Sequence, residues 1–135
     1  MHKKIYVEPL WKMHSGDREQ FLVSPEGYEF LIPQTLSEKA FSIVSKLPLS
    51  YSVLNRLERI IPLYLIKSYL ERFKKIPEGT DLTFSYGHLV FRKEPWVVEL
   101  ETVANFSGGS QKFLKRYKGL IERTLASRYC KKIIF

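Results

Sequence analysis

One cysteine, Cys130, and three histidines are all the thiol and imidazole metal ligands this 135-residue chain possesses. A single thiol cannot close an internal disulfide, and with scattered imidazoles it makes no cysteine-rich metal site, so the composition fits a reducing compartment and no metal cofactor is expected. Cys130 itself reads as a small apolar residue buried near a strand. Also missing are a Walker-type Gly-Lys-Ser/Thr pattern, any internal repeat, and any Ser/Gly-rich or Pro-rich stretch. Long apolar runs are lacking too. Residues 47–73 form the most apolar region, but Arg56, Glu58, Arg59 and Lys67 interrupt it, which argues against a membrane-spanning helix. The chain passes from two lysines straight into Ile5-Tyr6-Val7 without a signal-peptide core, so a cytoplasmic protein is expected.

Acidic side chains are scarce in one region only. Residues 1–108 hold 14 basic and 13 acidic side chains, whereas residues 109–135 hold 8 and 1, so almost all of the net charge of +8 sits in the last fifth. Such a segment suits nucleic acid, an anionic membrane or a phosphorylated ligand, or it is the solvated face of a helix. No nucleic-acid motif accompanies the charge, so nucleic acid is not an expected partner.

What is present is enough for a core: 44% of residues are hydrophobic and 14% aromatic, in a length that suits one domain over residues 1–135. Residues 4–8 read as a strand stopped by Pro9, and residues 28–32 as a second strand entered from the turn Ser24-Pro25-Glu26-Gly27. Helical spacing then takes over. A first helix is expected from Leu36 to about Pro48, and a second carries Val53, Leu57, Ile60, Ile61, Tyr64, Leu65, Tyr69 and Phe73 on its apolar side, broken or kinked at Pro62. Residues 81–86 read as a third strand, extendable through Leu89-Val90-Phe91, and residues 96–101 as a central fourth. After Gly108-Gly109, Ser110 caps a helix with its stripe at Phe113, Leu114, Tyr117, Leu120, Ile121 and Leu125, and residues 131–135 form a fifth strand. Long crossovers favour parallel pairing, so the predicted fold is an α/β, Rossmann-like three-layer domain with a mostly parallel sheet of about five strands. Ending inside a strand, the chain looks cut.

The run Pro25-Glu-Gly-Tyr-Glu-Phe30, the exit Ser85-Tyr-Gly-His88, the strand Pro95-Trp-Val-Val-Glu-Leu-Glu101 and the closing Ile121-Glu-Arg-Thr-Leu-Ala-Ser-Arg-Tyr-Cys-Lys-Lys-Ile-Ile-Phe135 resemble, in order and spacing, the N-terminal half of archaeal group 1 glycosyltransferases of the GT-B fold. The resemblance implies a hexosyltransferase with two Rossmann-like domains and a cleft between them. A nucleotide-sugar donor would be held mainly by the C-terminal domain, absent here, and a sugar or lipid-linked acceptor by the N-terminal one. Alone, this half should not turn over. Relatives carry a Gly-Gly loop after the first strand that approaches the donor diphosphate; the counterpart here is His14-Ser15-Gly16, which makes His14 and Gly16 candidate substrate contacts.

Glu99 and Glu101 lie two apart and so project to one side of an extended strand. Glu99 would need a basic partner inside a covered sheet, whereas Glu101, at the mouth, can stay ionised and accept a hydrogen bond from an acceptor hydroxyl. A salt bridge or helix cap is the structural alternative for Glu101. His88 can reach the same cleft and both donate and accept near neutral pH, or it is an ordinary polar loop residue. Tyr86 can stack on a sugar ring or lie in the core. Asn105, Ser107, Gly108 and Gly109 join a strand exit to a helix start, where free amides and the helix dipole favour a phosphate, or they form a plain loop capped by Ser110. The basic face at Lys112, Lys115, Arg116 and Arg123 suggests peripheral contact with an anionic membrane, and supports the competing reading of a non-catalytic Rossmann-like module that docks on such a membrane or on nucleic acid. The bare last strand favours self-association.

Overall fold

The computed structural model describes residues 2–8, 23–32, 56–57 and 59–135. Five strands lie within a residue or two of their expected positions: β1 (Lys3–Glu8), β2 (Tyr28–Leu31), β3 (Leu82–Tyr86), β4 (Trp96–Glu99) and β5 (Cys130–Ile134). They form one sheet in the order β2-β1-β3-β4-β5, and every pairing is parallel. This is an α/β, Rossmann-like fold, with its strand order reversing between β1 and β3. The turn into β2 is closed by Tyr28 N–H donating to the Pro25 carbonyl at 3.0 Å, with Gly27 at φ 82°. The polar stretch 9–22, with His14 and Gly16, and the helix expected from Leu36 lie outside the described residues.

The break at Pro62 is present. Arg56, Leu57, Arg59 and Ile60 are helical, the helix stops at Ile61, and α1 (Leu63–Leu70) starts directly after the proline, followed by a 3-10 turn, Glu71–Phe73. The helix expected from Ser110 is also real but divided. Ser110 caps α2 (Gln111–Arg116) by accepting from the Phe113 N–H at 3.4 Å. Tyr117 then leaves the helical region at φ −104°, ψ 16°, and its carbonyl takes the N–H groups of Leu120 and Ile121, both at 3.0 Å, to start α3 (Lys118–Leu125).

Right-handed crossovers that advance from β2 to β3, β4 and β5 all land on one face of the sheet. One apolar cluster occupies that face: Leu65 from α1, Leu89 and Val90 from the β3–β4 connection, Trp96, Val98 and Leu100 from β4, Phe106, and Ile121 from α3. Cys130 packs against its edge. The β3–β4 connection, residues 87–95, crosses back without a helix. The extension of β3 through Leu89 to Phe91 does not form, because Gly87, at φ 74°, turns the chain off the sheet while its N–H still donates to the Glu99 carbonyl at 2.9 Å. Leu89 and Val90 are buried beneath that turn instead.

Candidate functional site

In an open parallel sheet, crevices form outside the carboxyl ends of the strands, at the point where the strand order reverses. Here that point lies between Glu8, which ends β1, and Tyr86-Gly87-His88, which ends β3. The register pairs Tyr6 with Thr83 and Glu8 with Ser85, and parallel partners project to the same face. All four are buried.

A ladder of charge fills the space above them. Arg92, in the β3–β4 connection, donates from Nη1 to Glu8 Oε1 at 3.1 Å and from Nη2 to Glu8 Oε2, a bidentate pair between residues 84 apart in sequence. Its Nε donates to Glu94 Oε1 at 2.6 Å, and Nη1 also reaches the Glu71 carbonyl at 2.8 Å. Thr83 Oγ1 completes the run by donating to Glu94 Oε1 at 2.9 Å. His88 stands on the other side of Glu8, with Nε2 at 3.9 Å from Oε1, an ion-pair distance rather than a hydrogen bond. Burial pushes the Glu8 carboxyl upward, but the adjoining His88 imidazole and Arg92 guanidinium outweigh it and hold the group below the usual carboxylate range. Burial, with Glu8 next, pushes Tyr6 up to about 12.

His88 is therefore not a loop residue at an open cleft: none of it is exposed. The Tyr86 carbonyl, 3.2 Å from Nδ1, can only accept, so Nδ1 carries a hydrogen and donates to it. Ser85 Oγ donates to the His88 carbonyl from below. Together they clamp the turn at Gly87 from both sides. In this arrangement His88 holds the β3 exit in place, and its ring is enclosed rather than open to the mouth.

The β3 and β4 exits do meet. Tyr64, from the start of α1, donates from its hydroxyl to the Gly87 carbonyl at 3.3 Å, and its ring fills the space beside Gly108, where an added Cβ would come within 3.2 Å. Burial pushes the Tyr64 phenol up to about 12. A Cβ on Gly87 would lie 3.5 Å from Asn105 Nδ2, so the Asn105 amide borders the same turn. Asn105 Oδ1 accepts from the Thr102 N–H at 2.9 Å and from Thr102 Oγ1 at 3.0 Å, which fixes the side chain with its NH2 toward the Gly87 turn. Glu101 is exposed at this mouth and has no ion pair among the described residues. Glu99, half-buried at the end of β4, lacks the basic partner expected for it among the described residues. Tyr86 is half-buried on the opposite face from Ser85.

The phosphate cradle expected at residues 105–110 is closed by the loop itself. Gly108 N–H donates to the Asn105 carbonyl at 3.0 Å, Gly109 N–H to Ala104 at 2.9 Å and Ser110 N–H to Ser107 at 3.3 Å, so these amides are not free for an anion. Ser107 Oγ bonds the Ala104 and Ser110 carbonyls at 3.0 and 2.8 Å and is buried. Gly108 and Gly109, at φ 63° and 85°, serve the turn. Among the described residues no group of three or more His, Cys, Asp or Glu side chains could hold a metal ion.

Sequence reasoning passed over Glu8, Arg92 and Glu94. The signal available was weak: a carboxylate closing a strand-like run, and a basic-acidic pair in a loop too short for a crossover helix. A separate cavity of about 340 Å³ lies at the β1–β2 side, lined by Tyr6, Leu31, Ile32, Lys75, Ile76 and Pro77, away from the β3 and β4 exits. No described helix is long and apolar enough to cross a membrane. Comparison with protein-family models, with curated proteins and with solved structures returned no match.

Proposed function

We propose that the chain is the acceptor-side half of a two-domain, GT-B-type glycosyltransferase that moves a sugar from a nucleotide to a hydroxyl. The observation that carries the reading is the mouth formed by the β3 and β4 exits of an all-parallel Rossmann-like sheet, where the Glu101 carboxylate is exposed and the Asn105 amide borders the Gly87 turn. An acceptor hydroxyl needs one partner that takes its proton into a hydrogen bond and one that donates to its oxygen, and this pair supplies both. His88 acts behind them by fixing the Gly87 turn. Donor diphosphate binding falls to a C-terminal domain in this reading, consistent with the loop amides at Gly108 and Gly109 being occupied. The location that goes with it is the cytoplasm, at the inner face of a membrane when the acceptor is lipid-linked.

The test is an amide-resolved NMR titration of the chain with a panel of mono- and disaccharides, with a nucleotide sugar as control. Saccharides should shift the amides of Gly87 and of Glu101 to Asn105, and Glu101→Ala should remove the shifts while leaving the fold intact. Shifts confined to other regions, or unchanged in Glu101→Ala, would refute the assignment.

A further inference from the structure

α1 is amphipathic in the wrong sense for a core helix. The inward stripe of α1 and the 3-10 turn that follows it is Leu65, Ser68 and Glu71, all buried, and two of the three are polar. Those polar groups are satisfied locally: Ser68 Oγ donates to the Tyr64 carbonyl at 2.8 Å, and Glu71 accepts from Lys74 Nζ at 2.8 Å. The outward stripe, at spacings of four and three, is Ile66, Leu70 and Phe73, with Leu70 55% and Phe73 68% exposed. On the other side of the Pro62 break Ile60 is also 72% exposed. A surface helix normally turns its apolar stripe to the core, and a contiguous apolar patch left in water marks an interaction surface.

Charge around the patch identifies the occupant. Arg56, Arg59, Arg72 and Lys75 are exposed on the same segment, with Lys74 paired to Glu71, and the only carboxylates between residues 56 and 75 are Glu58 and the buried Glu71. The Arg72 guanidinium lies over the rings of Tyr69 and Phe73, 4.8 and 5.1 Å from their centroids, which holds a cation at the rim of the aromatic surface. Helices that lie in a bilayer interface combine Phe and Leu on one side with Lys and Arg beside them, and the nearly single sign of the charge around this patch suits a surface of anionic phosphates. We propose that this face of α1 binds the surface of an anionic lipid bilayer, with Ile66, Leu70 and Phe73 entering the boundary between headgroups and acyl chains and the surrounding cations meeting lipid phosphates. The basic face of α2 and α3 offers charge alone, since its apolar residues Phe113 and Ile121 are buried. The proposal stands independently of sugar transfer.

Co-sedimentation of the chain with vesicles of phosphatidylcholine, and of phosphatidylcholine with phosphatidylglycerol, tests it at low and high salt. Binding is expected only to the anionic vesicles and should weaken with salt. It should fall about tenfold or more in Leu70→Ser/Phe73→Ser, and several-fold in Arg59→Glu/Arg72→Glu, but little in Lys115→Glu/Arg116→Glu. All substituted side chains are exposed, and retained thermal unfolding certifies the fold of each variant. In Phe73→Trp the emission should move to the blue on adding anionic vesicles. An unchanged emission, wild-type binding by Leu70→Ser/Phe73→Ser, or a dimer that dissolves in that variant would overturn the proposal, the last by assigning the face to a second copy of the chain.

Discussion

Beneath the crossovers, one face of the sheet is filled in two different ways. Over β4, Trp96 and Val98 meet Leu65, Leu89, Phe106 and Ile121, and the interior is apolar but for the Trp96 indole N–H, which is buried without a hydrogen-bond partner among the described residues. One strand away, over β1 and β3, Tyr6, Glu8, Thr83 and Ser85 meet Arg92, Glu94 and His88, and the interior is held by charge. The apolar half is shielded almost completely and the ionic half slightly less, since the Glu94 side chain keeps 20% of its surface in water. The apolar half is stabilised by area and packing, which tolerate small displacements, while the ionic half depends on every member finding its partner. The second arrangement is therefore more easily broken than the first by a change of a few atoms, and more easily relieved by a compensating one.

The largest expected effect tests the apolar half. Trp96→Ala removes the biggest fully buried side chain and should cost about 3–5 kcal/mol in urea unfolding. A loss below about 1 kcal/mol would mean that this half is not the principal core. Next comes the ionic half: Arg92→Met strands the Glu8 carboxylate and should cost about 3 kcal/mol, whereas Arg92→Met/Glu8→Leu should recover most of that loss. If the double variant is no better than the single, the two halves do not differ in kind.

The smallest effect is one of pH. The Glu8 carboxyl is held below its unfolded value, so its contribution to stability is complete above the unfolded carboxylate range and is lost as pH falls through the folded value. Acid unfolding of the wild type should accordingly be steeper than that of Glu8→Gln. At the alkaline end the sign reverses: Tyr6 and Tyr64, both pushed up to about 12, favour the folded state below their unfolded value near 10 and give that contribution up as pH rises towards 12. Identical acid limbs in wild type and Glu8→Gln would remove Glu8 as a source of pH dependence.

All five strands were legible because β-branched and aromatic runs bounded by Pro and Gly are a local signal, and so was the Ser110 cap. Orientation was not. In Leu82-Thr-Phe-Ser-Tyr86 alternation invites placing Leu82, Phe84 and Tyr86 in the core, yet Thr83 and Ser85 are the fully buried pair and their apolar neighbours are half-buried. The hydroxyls face inward because Glu94 and the His88 carbonyl accept from them, partners that appear only once residues 87–95 fold back over the sheet. The Glu8–Arg92 pair spans 84 residues and leaves no trace in any short window. Glu101 and Asn105 do lie at the β4 exit, where their place in the sequence puts them. The loss of the loop amides at Gly108 and Gly109 to internal hydrogen bonds, and the enclosure of His88, depend on tertiary geometry.

The brief, helix-free link from β3 to β4 also bears on the order in which the molecule assembles. It brings Thr83 beside Trp96, close along the chain, whereas β1 reaches β3 by joining Ile5 to Leu82. Closing a short loop forfeits less chain entropy than closing a long one, and near contacts form sooner. Strands β3 and β4, with Trp96 between them, are thus suited to nucleate the sheet, and β1 arrives later, carrying Glu8 to an arginine already waiting.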